Sequence, residues 1–210
     1  MSDKRLNTLR LSVIFSAFGP LVLAVALSMN TSTTQFADFL RRTVELSVLI
    51  IALWIYLKLK KTTLNKQKKH TLQAFMYRIS GYVLLISSMM LFFLFGFALW
   101  NPAIPEGNVI IGLVVAFLGV FFNGYFWFRY SRFNDVHNHV VMESQGKIYQ
   151  AKTFVDINVV IALASVLVFP SLWISYWIDL VGTFIIAIYL VIRGISFIKK
   201  SSKGSFDYDA

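Results

Sequence analysis

The sequence predicts an all-α integral membrane protein with six transmembrane helices and with both termini in the cytoplasm. The first reason is composition: 57% of the 210 residues are hydrophobic and 14% are charged, whereas soluble domains average about 45–50% and about 25%. The second reason is that six apolar runs each reach the roughly 18 residues that a membrane span needs. The third is that, of the connectors between these runs, only alternate ones contain lysine or arginine. Backbone polar groups in lipid must be satisfied within their own segment, so each run is predicted to be helical.

The six predicted spans follow one another with mostly short connectors. They cover residues 11–29, 35–59, 75–100, 109–128, 147–169 and 172–197. The first run is longer than the about 7–15 apolar residues of a signal peptide, so we interpret it as an uncleaved span, kinked at Pro20. The transmembrane domain is therefore expected over residues 11–197, between a cytoplasmic N-terminus (1–10) and a short cytoplasmic tail (198–210).

The predicted orientation depends on where lysine and arginine occur. They precede the first span and fill the connectors after the second and fourth spans and the tail, whereas the connectors at 30–34, 101–107 and 170–171 contain neither. By the positive-inside rule both termini are cytoplasmic. The formal net charge of +10 is explained by this orientation, so the expected partner is the lipid bilayer and not nucleic acid. The chain has no cysteine, which excludes disulfides, thiol catalysis and Cys-ligated zinc.

Two predicted helices carry a basic residue followed four positions later by an acidic one. In the second span these are Arg41 and Glu45, and in the fifth span they are Lys152 and Asp156. Residues i and i+4 share a helix face, and a charge inside a bilayer costs about 3 kcal/mol even on the lenient insertion scale. The two faces are therefore predicted to lie opposite each other and to form a four-residue cluster near the middle of the membrane.

The residues alone leave two interpretations of this cluster open. In the first, Glu45 and Asp156 line a pathway for a cation or a proton, and the two bases modulate its occupancy. In the second, the ion pairs fix the register of the helices and carry nothing. The neighbouring Arg42 is expected to extend outward to the membrane interface.

At several positions the spans resemble motifs of the cation diffusion facilitator family, six-helix exporters of divalent metals such as zinc. The similarity covers about residues 12–201. The family's two His-x-x-x-Asp metal motifs fall on residues 41–45 (RRTVE) and 152–156 (KTFVD). Further matches are an Ala-Asp at Asp38, an asparagine late in the fourth span at Asn123, and a Trp-x-Asp opening of the sixth span at Asp179.

The resemblance implies the fold of that family's transmembrane domain and a homodimer, but with a degenerate metal site. The family site joins two imidazoles and two carboxylates in a tetrahedral shell suited to zinc, and here Arg41 and Lys152 stand at the histidine positions. Arginine keeps its proton and has no acceptor, so it cannot ligate zinc. The family's C-terminal metal-binding domain is expected to be absent, because only the tail follows the sixth span. No cofactor is predicted.

Other candidates are weaker. The connector over residues 129–146 is predicted to be a polar loop, and its His-x-His spacing makes a weak metal site, for which solvated side chains are the favoured interpretation. The residues of this weak site are Asp135, His137, His139 and Glu143. Asp179 is interpreted as a cap at the start of the sixth span. No nucleophile triad, phosphate loop or zinc-protease motif is present in the sequence, so an enzyme is not predicted.

Together these features favour a cation transporter of the cation diffusion facilitator type, an antiporter that moves a cation outward in exchange for protons, in the plasma membrane of a bacterium. The alternative is a non-transporting membrane partner or regulatory protein that keeps the fold. The predicted transport site is the cluster Arg41, Glu45, Lys152 and Asp156, with Asp38, Asn123 and Asp179 as secondary candidates.

Overall fold

The computed structural model describes residues 3–29, 33–60, 65–100, 109–137, 139–168 and 173–203. Over these residues the chain forms six α-helices, which confirms the all-α prediction. They are α1 (Lys4–Met29), α2 (Thr33–Leu59), α3 (Lys66–Trp100), α4 (Val109–His137), α5 (Val140–Val168) and α6 (Trp173–Lys203). Within the described residues, α3, α5 and α6 are long and apolar enough to cross a membrane.

The helices extend further into the polar connectors than hydropathy predicts. The prediction of a loop over residues 129–146 is wrong, because α4 continues to His137 and α5 already begins at Val140. Polar side chains of this segment are buried, with Tyr130 at 0% and Gln145 at 1% exposure. Most helical stability in proteins comes from packing of a buried face, and this packing explains why a sequence without a long apolar run is helical here.

Both ends of the bundle also differ from the predicted boundaries. α1 begins at Lys4, inside the predicted N-terminal segment, and α6 continues to Lys203, inside the predicted tail. The Ser201 hydroxyl donates a hydrogen bond to the Ala74 carbonyl at 2.9 Å. The last turn of α6 is therefore fixed against α3.

Polar contacts join the termini of five helices at one end of the bundle. The Asp3 carboxylate, just before α1, accepts a hydrogen bond from the Tyr56 hydroxyl near the end of α2 at 2.9 Å. Lys200, near the end of α6, pairs with Glu143 in the first turn of α5 at 2.8 Å, and Tyr77 of α3 donates to the same carboxylate. We call this end, where α1, α3 and α5 begin and α2 and α6 finish, the basic end.

The helices pack so that a partly open space remains among four of them. α4 packs along α5, α3 along α6 and α1 along α2, while α2 meets α5 and α1 meets α4. α3 and α6 approach each other closely at Gly81 and Gly194, where a Cβ atom added to Gly81 would lie 2.8 Å from the Gly194 carbonyl oxygen. Such small residues allow membrane helices to touch backbone to backbone. The space lies on the other side of the molecule, among α1, α2, α4 and α5.

Candidate transport site

A cavity of about 430 Å³ lies among α1, α2, α4 and α5 and contains all four residues of the predicted cluster. Glu45 and Asp156 each expose 7% of their surface and Arg41 exposes 8%. Buried charges need partners that replace their hydration, so the contacts of each group decide what the cavity can bind. Its polar lining consists of Ser16, Arg41, Arg42, Glu45, Asn123, Tyr149, Lys152 and Asp156.

Glu45 is surrounded by donors from three helices. The Lys152 ammonium of α5 lies 3.3 Å from Glu45 Oε2, and the Arg41 guanidinium, one turn before it in α2, lies 3.9 Å from Oε1. The Ser87 hydroxyl of α3 donates to the same Oε1 at 3.5 Å. The Lys152 ammonium also lies 4.8 Å from the centre of the Tyr149 ring. Lys152 therefore joins α5 to α2 through a cross-helix ion pair.

Asp156 is held by α4. The Asn123 side-chain amide donates a hydrogen bond to Asp156 Oδ2 at 2.6 Å. The carboxylate also lies over Gly119, where an added Cβ atom would come within 2.8 Å of Oδ2. Arg42 and Arg41 are close enough for their charges to act on Asp156 across the cavity. The two acids thus occupy one cavity but have different immediate partners.

The structure places Arg42 differently from the outward extension expected for it. Its side chain lies over Gly19 of α1, where an added Cβ atom would be 3.2 Å from Arg42 Cδ and 3.3 Å from Nη1, and it lines the cavity. A glycine next to Pro20 in α1 therefore provides the room that lets a second guanidinium remain beside the site.

An aromatic layer packs beneath the cavity on the side of the basic end. Ring centres lie 5.0 Å apart for Phe15 and Phe122, 5.3 Å for Phe126 and Tyr149, and 5.4 Å for Tyr130 and Tyr149. Hydrogen bonds between Ser12 and Tyr130 and between Ser16 and Tyr149 tie this layer to α1. Tyr130 and Tyr149 are 0% and 1% exposed, so the layer separates the cavity from the basic end.

The cavity geometry can be compared with known families. A family model described as the cation efflux transmembrane domain matches residues 9–204. The chain belongs to the cation efflux family. The resemblance to cation diffusion facilitators is therefore confirmed, and the chain is a membrane protein of a family whose members transport cations and are not enzymes. A search of the curated proteins finds no match to the chain.

The described residues of this cation efflux protein contain no group of three or more His, Cys, Asp or Glu side chains that could hold a metal ion. Of the weak connector site, His139 Nδ1 accepts a hydrogen bond from the Val141 amide at 3.3 Å, and Glu143 binds Lys200 and Tyr77. The side chains of Asp135 and His137 lie outside the described residues, as does that of Asp38.

Asp179 is the secondary candidate that does not line the cavity of this efflux protein. It lies in the second turn of α6, since that helix begins at Trp173, and it bonds Thr183 one turn further on. The prediction that Asp179 caps the N-terminus of the sixth span is therefore wrong. Its position separates it from Glu45 and Asp156, which makes it a useful comparison residue.

Sequence patterns did not reveal several residues that shape the cavity. Gly119 stands four positions before Asn123, and this spacing on α4 could have marked a small residue beside a polar one. Tyr149 precedes Lys152 by three positions, which places its ring on the same face of α5. Ser87 of α3 gave no such signal, because its contact with Glu45 depends on how α3 packs against α2.

Proposed function

We propose that this protein carries a cation out of the cytoplasm through the cavity, with Glu45 and Asp156 as the groups that bind the cation or a proton. The single observation that carries the proposal is that two buried carboxylates from facing helices line one cavity among α1, α2, α4 and α5. Ionisable residues within a membrane domain usually line pathways for ions or protons.

In this proposal Arg41 and Lys152 act as tethered counter-cations. They lie 3.9 and 3.3 Å from Glu45, and with Arg42 they set three positive charges against the two carboxylates of the cavity lining. A substrate cation must therefore displace a fixed cation from the carboxylate oxygens that it binds. Exchange against protons fits this arrangement, because protonation of a carboxylate releases its bound cation. Tetrahedral zinc is disfavoured, because neither basic residue replaces an imidazole ligand.

The proposed arrangement in the membrane has all six helices spanning it and the basic end in the cytoplasm. The distribution of lysine and arginine supports this orientation. We further propose the plasma membrane of a bacterium as the location and, from the family resemblance, a homodimer as the assembly. With this orientation, the aromatic layer separates the cavity from the cytoplasm.

A flux assay in proteoliposomes tests the proposal. Uptake of monovalent and divalent cations would be measured with and without a pH gradient, for the wild type and for Glu45→Gln and Asp156→Asn. We expect both variants to lose flux, while the matched control Asp179→Asn, whose carboxylate lies outside the cavity, keeps it. Equal flux in all four proteins would remove the carboxylates from the mechanism.

One observation favours the alternative of a non-transporting partner or regulatory protein. The Lys152 ammonium already forms an ion pair with the Glu45 carboxylate. A permanent ion pair between α2 and α5 would fix the helices and leave no vacant site. If wild-type proteoliposomes carry no cation under any gradient, this alternative replaces transport.

A further inference from the structure

One helix contacts both a carboxylate of the cavity and a carboxylate at the basic end. Tyr77, near the start of α3, donates a hydrogen bond to Glu143 at the basic end. Further along the same helix, the Ser87 hydroxyl donates to Glu45 Oε1 at 3.5 Å. α3 does not line the cavity, and the aromatic layer belongs to α1, α4 and α5. α3 therefore connects the two carboxylates by a route outside that layer.

Ser80 lies between these two contacts on the same side of α3. It follows Tyr77 by three positions and precedes Ser87 by seven, and both spacings return to one face of a helix. Its side chain is 0% exposed, and its hydroxyl has no hydrogen-bond partner among the described residues. Tyr77 and Ser87 are also buried, at 0% and 3% exposure. The three hydroxyls form a polar row inside the bundle, which we call the α3 row.

α5 adds two buried polar side chains beside the Glu143 contact. Ser144 is 0% and Gln145 is 1% exposed. Within the described part of the chain, neither the Ser144 hydroxyl nor the Gln145 side-chain nitrogen has a hydrogen-bond partner. Gln145 precedes Lys152 by seven positions, so it shares the face of α5 that contacts α2. The polar side chains of α5 thus lie near the start of the α3 row.

Buried polar groups of this kind indicate bound water. In proteins such groups nearly always have a hydrogen-bond partner, which is either another protein group or a water molecule. A buried water typically makes about three hydrogen bonds to groups that are otherwise unsatisfied. Ser80 and Ser87 are separated by about 10 Å along the helix, at about 1.5 Å for each residue. At about 2.8 Å for each O–H···O bond, on the order of three waters span that distance.

We infer that buried waters along the α3 row form a proton path between Glu45 and Glu143, separate from the cavity that binds the cation. This inference rests on the proposed function, since it names the route of the protons that are exchanged for the cation. A proton leaves Glu45 through the Ser87 hydroxyl. Each water or hydroxyl along the row accepts one proton and gives up another, so that only O–H bonds form and break.

The end of the path at Glu143 is accessible to solvent. The side chain of Glu143 is 18% exposed, and that of its ion-pair partner Lys200 is 36% exposed. Glu143 therefore receives the proton from Tyr77 and releases it on the side of the basic end. A proton needs only a chain of hydrogen-bonded oxygen atoms, whereas a cation needs an open passage. The aromatic layer can thus retain the cation while protons pass along α3.

Cysteine accessibility tests for the water, because the chain contains no cysteine of its own. Ser80→Cys places a thiol of similar size in the α3 row. Ala187→Cys is the matched control, since Ala187 is a 0% exposed residue of α6. The full chain in detergent is treated with Ag⁺, and thiols that remain unblocked are labelled with a maleimide after denaturation.

We expect Ag⁺ to block the thiol of Ser80→Cys about tenfold faster than that of Ala187→Cys, because a buried thiol without water reacts only through local opening. Ser144→Cys is a second variant, which decides the question if Ser80→Cys does not fold. Its position is also 0% exposed, with a hydroxyl that has no partner among the described residues. Rates equal to that of the control at both serine positions would overturn the inference.

A transport measurement separates a proton path from a structural role. In the proteoliposome assay Tyr77→Phe removes one hydroxyl of the α3 row, and the control Tyr82→Phe changes a 50% exposed ring of the same helix. We expect Tyr77→Phe to lower the maximal rate of uptake under a pH gradient about tenfold and to leave the cation concentration for half-maximal uptake unchanged. An unchanged maximal rate would overturn the proton path.

The two experiments also distinguish this inference from the proposed function. If the wild type carries no cation, the proposed function fails and the exchange fails with it. If the wild type transports but the thiols at the two serine positions stay unreactive, only the proton path fails.

Discussion

Replacing Lys152 by methionine tests the charge balance of the cavity. Methionine keeps an unbranched apolar stem and removes the ammonium, so Glu45 is left with Arg41 at 3.9 Å and Ser87 at 3.5 Å. Breaking a buried ion pair by removing one partner costs about 3–5 kcal/mol. We expect the free energy of unfolding to fall by about 3 kcal/mol, the lower end of that range, because Arg41 still compensates the carboxylate.

The distances set the scale of this effect. At an effective dielectric constant of about 20, the attraction between Lys152 and Glu45 at 3.3 Å is about 5 kcal/mol. The attraction between Arg41 and Glu45 at 3.9 Å is about 4 kcal/mol. Desolvation of the buried ions offsets much of both. For Lys152→Met combined with Glu45→Gln, we therefore expect the two effects to be non-additive, with a coupling energy of about 2 kcal/mol.

Equilibrium unfolding in mixed micelles, followed by helical circular dichroism and checked by refolding, measures these free energies. Lys58→Met is the control, since Lys58 is an exposed residue near the end of α2, and its effect should stay within about 0.5 kcal/mol. Additive effects of Lys152→Met and Glu45→Gln, with a coupling energy below about 0.5 kcal/mol, would refute the ion pair and with it the tethered-cation mechanism.

Three further variants extend the test to other parts of the molecule. Gly119→Ala should lower cation flux several-fold and the free energy of unfolding by about 1–3 kcal/mol, because its Cβ would lie 2.8 Å from the Asp156 carboxylate. The control is Gly96→Ala, whose Cβ would have no atom within 4 Å. Equal effects of the two substitutions would contradict the assigned contact. Arg41→His combined with Lys152→His should give micromolar Zn²⁺ binding in calorimetry, since it supplies two imidazoles beside two carboxylates; no gain in heat would show that the cavity is not a converted metal site. Burial raises the pKa of Asp3, but hydrogen bonds, first from the Lys60 ammonium, outweigh it and hold the pKa below its usual value. Asp3→Asn should therefore cost less than about 1 kcal/mol at neutral pH. The unfolded chain takes up the Asp3 proton near about pH 3.9 and the folded protein only at lower pH, so this difference should shrink as unfolding is measured below about pH 3.9.

Hydropathy predicted the last residues of α1 and α2, Met29 and Leu59. It did not predict how far other helices continue past their apolar runs. The predicted second span, 35–59, agrees with α2 to within two residues at its start. The sequence around Tyr130 and Gln145 lacks an apolar run, so a search for spans assigns it to a loop. Its helical state comes from contacts among α3, α4 and α5, and a pattern along one segment does not contain those contacts.

The i,i+4 spacing predicted which side chains share a face but not which of them pair. Lys152 reaches Glu45 on α2, and Asp156, on its own helix, is bonded by Asn123 of α4. These choices depend on the rotation of α5 between α2 and α4, which one sequence without its packing does not fix. Arg42 illustrates the same limit, because its position beside the cavity depends on the room above Gly19.

The presence of Arg41 and Lys152 at the family's two histidine positions changes which ligands the cavity can attract. An imidazole offers a lone pair to a metal ion. An arginine offers only hydrogen-bond donors, and so does a lysine while it is charged. The remaining attractive groups for a cation are the carboxylate oxygens of Glu45 and Asp156 and the faces of the surrounding rings. Carboxylate oxygens that already contact a fixed cation favour a ligand that needs few oxygen atoms around it. Because an arginine in place of an imidazole removes an electron-pair donor, we expect this substitution to weaken the binding of divalent metals in the cavity.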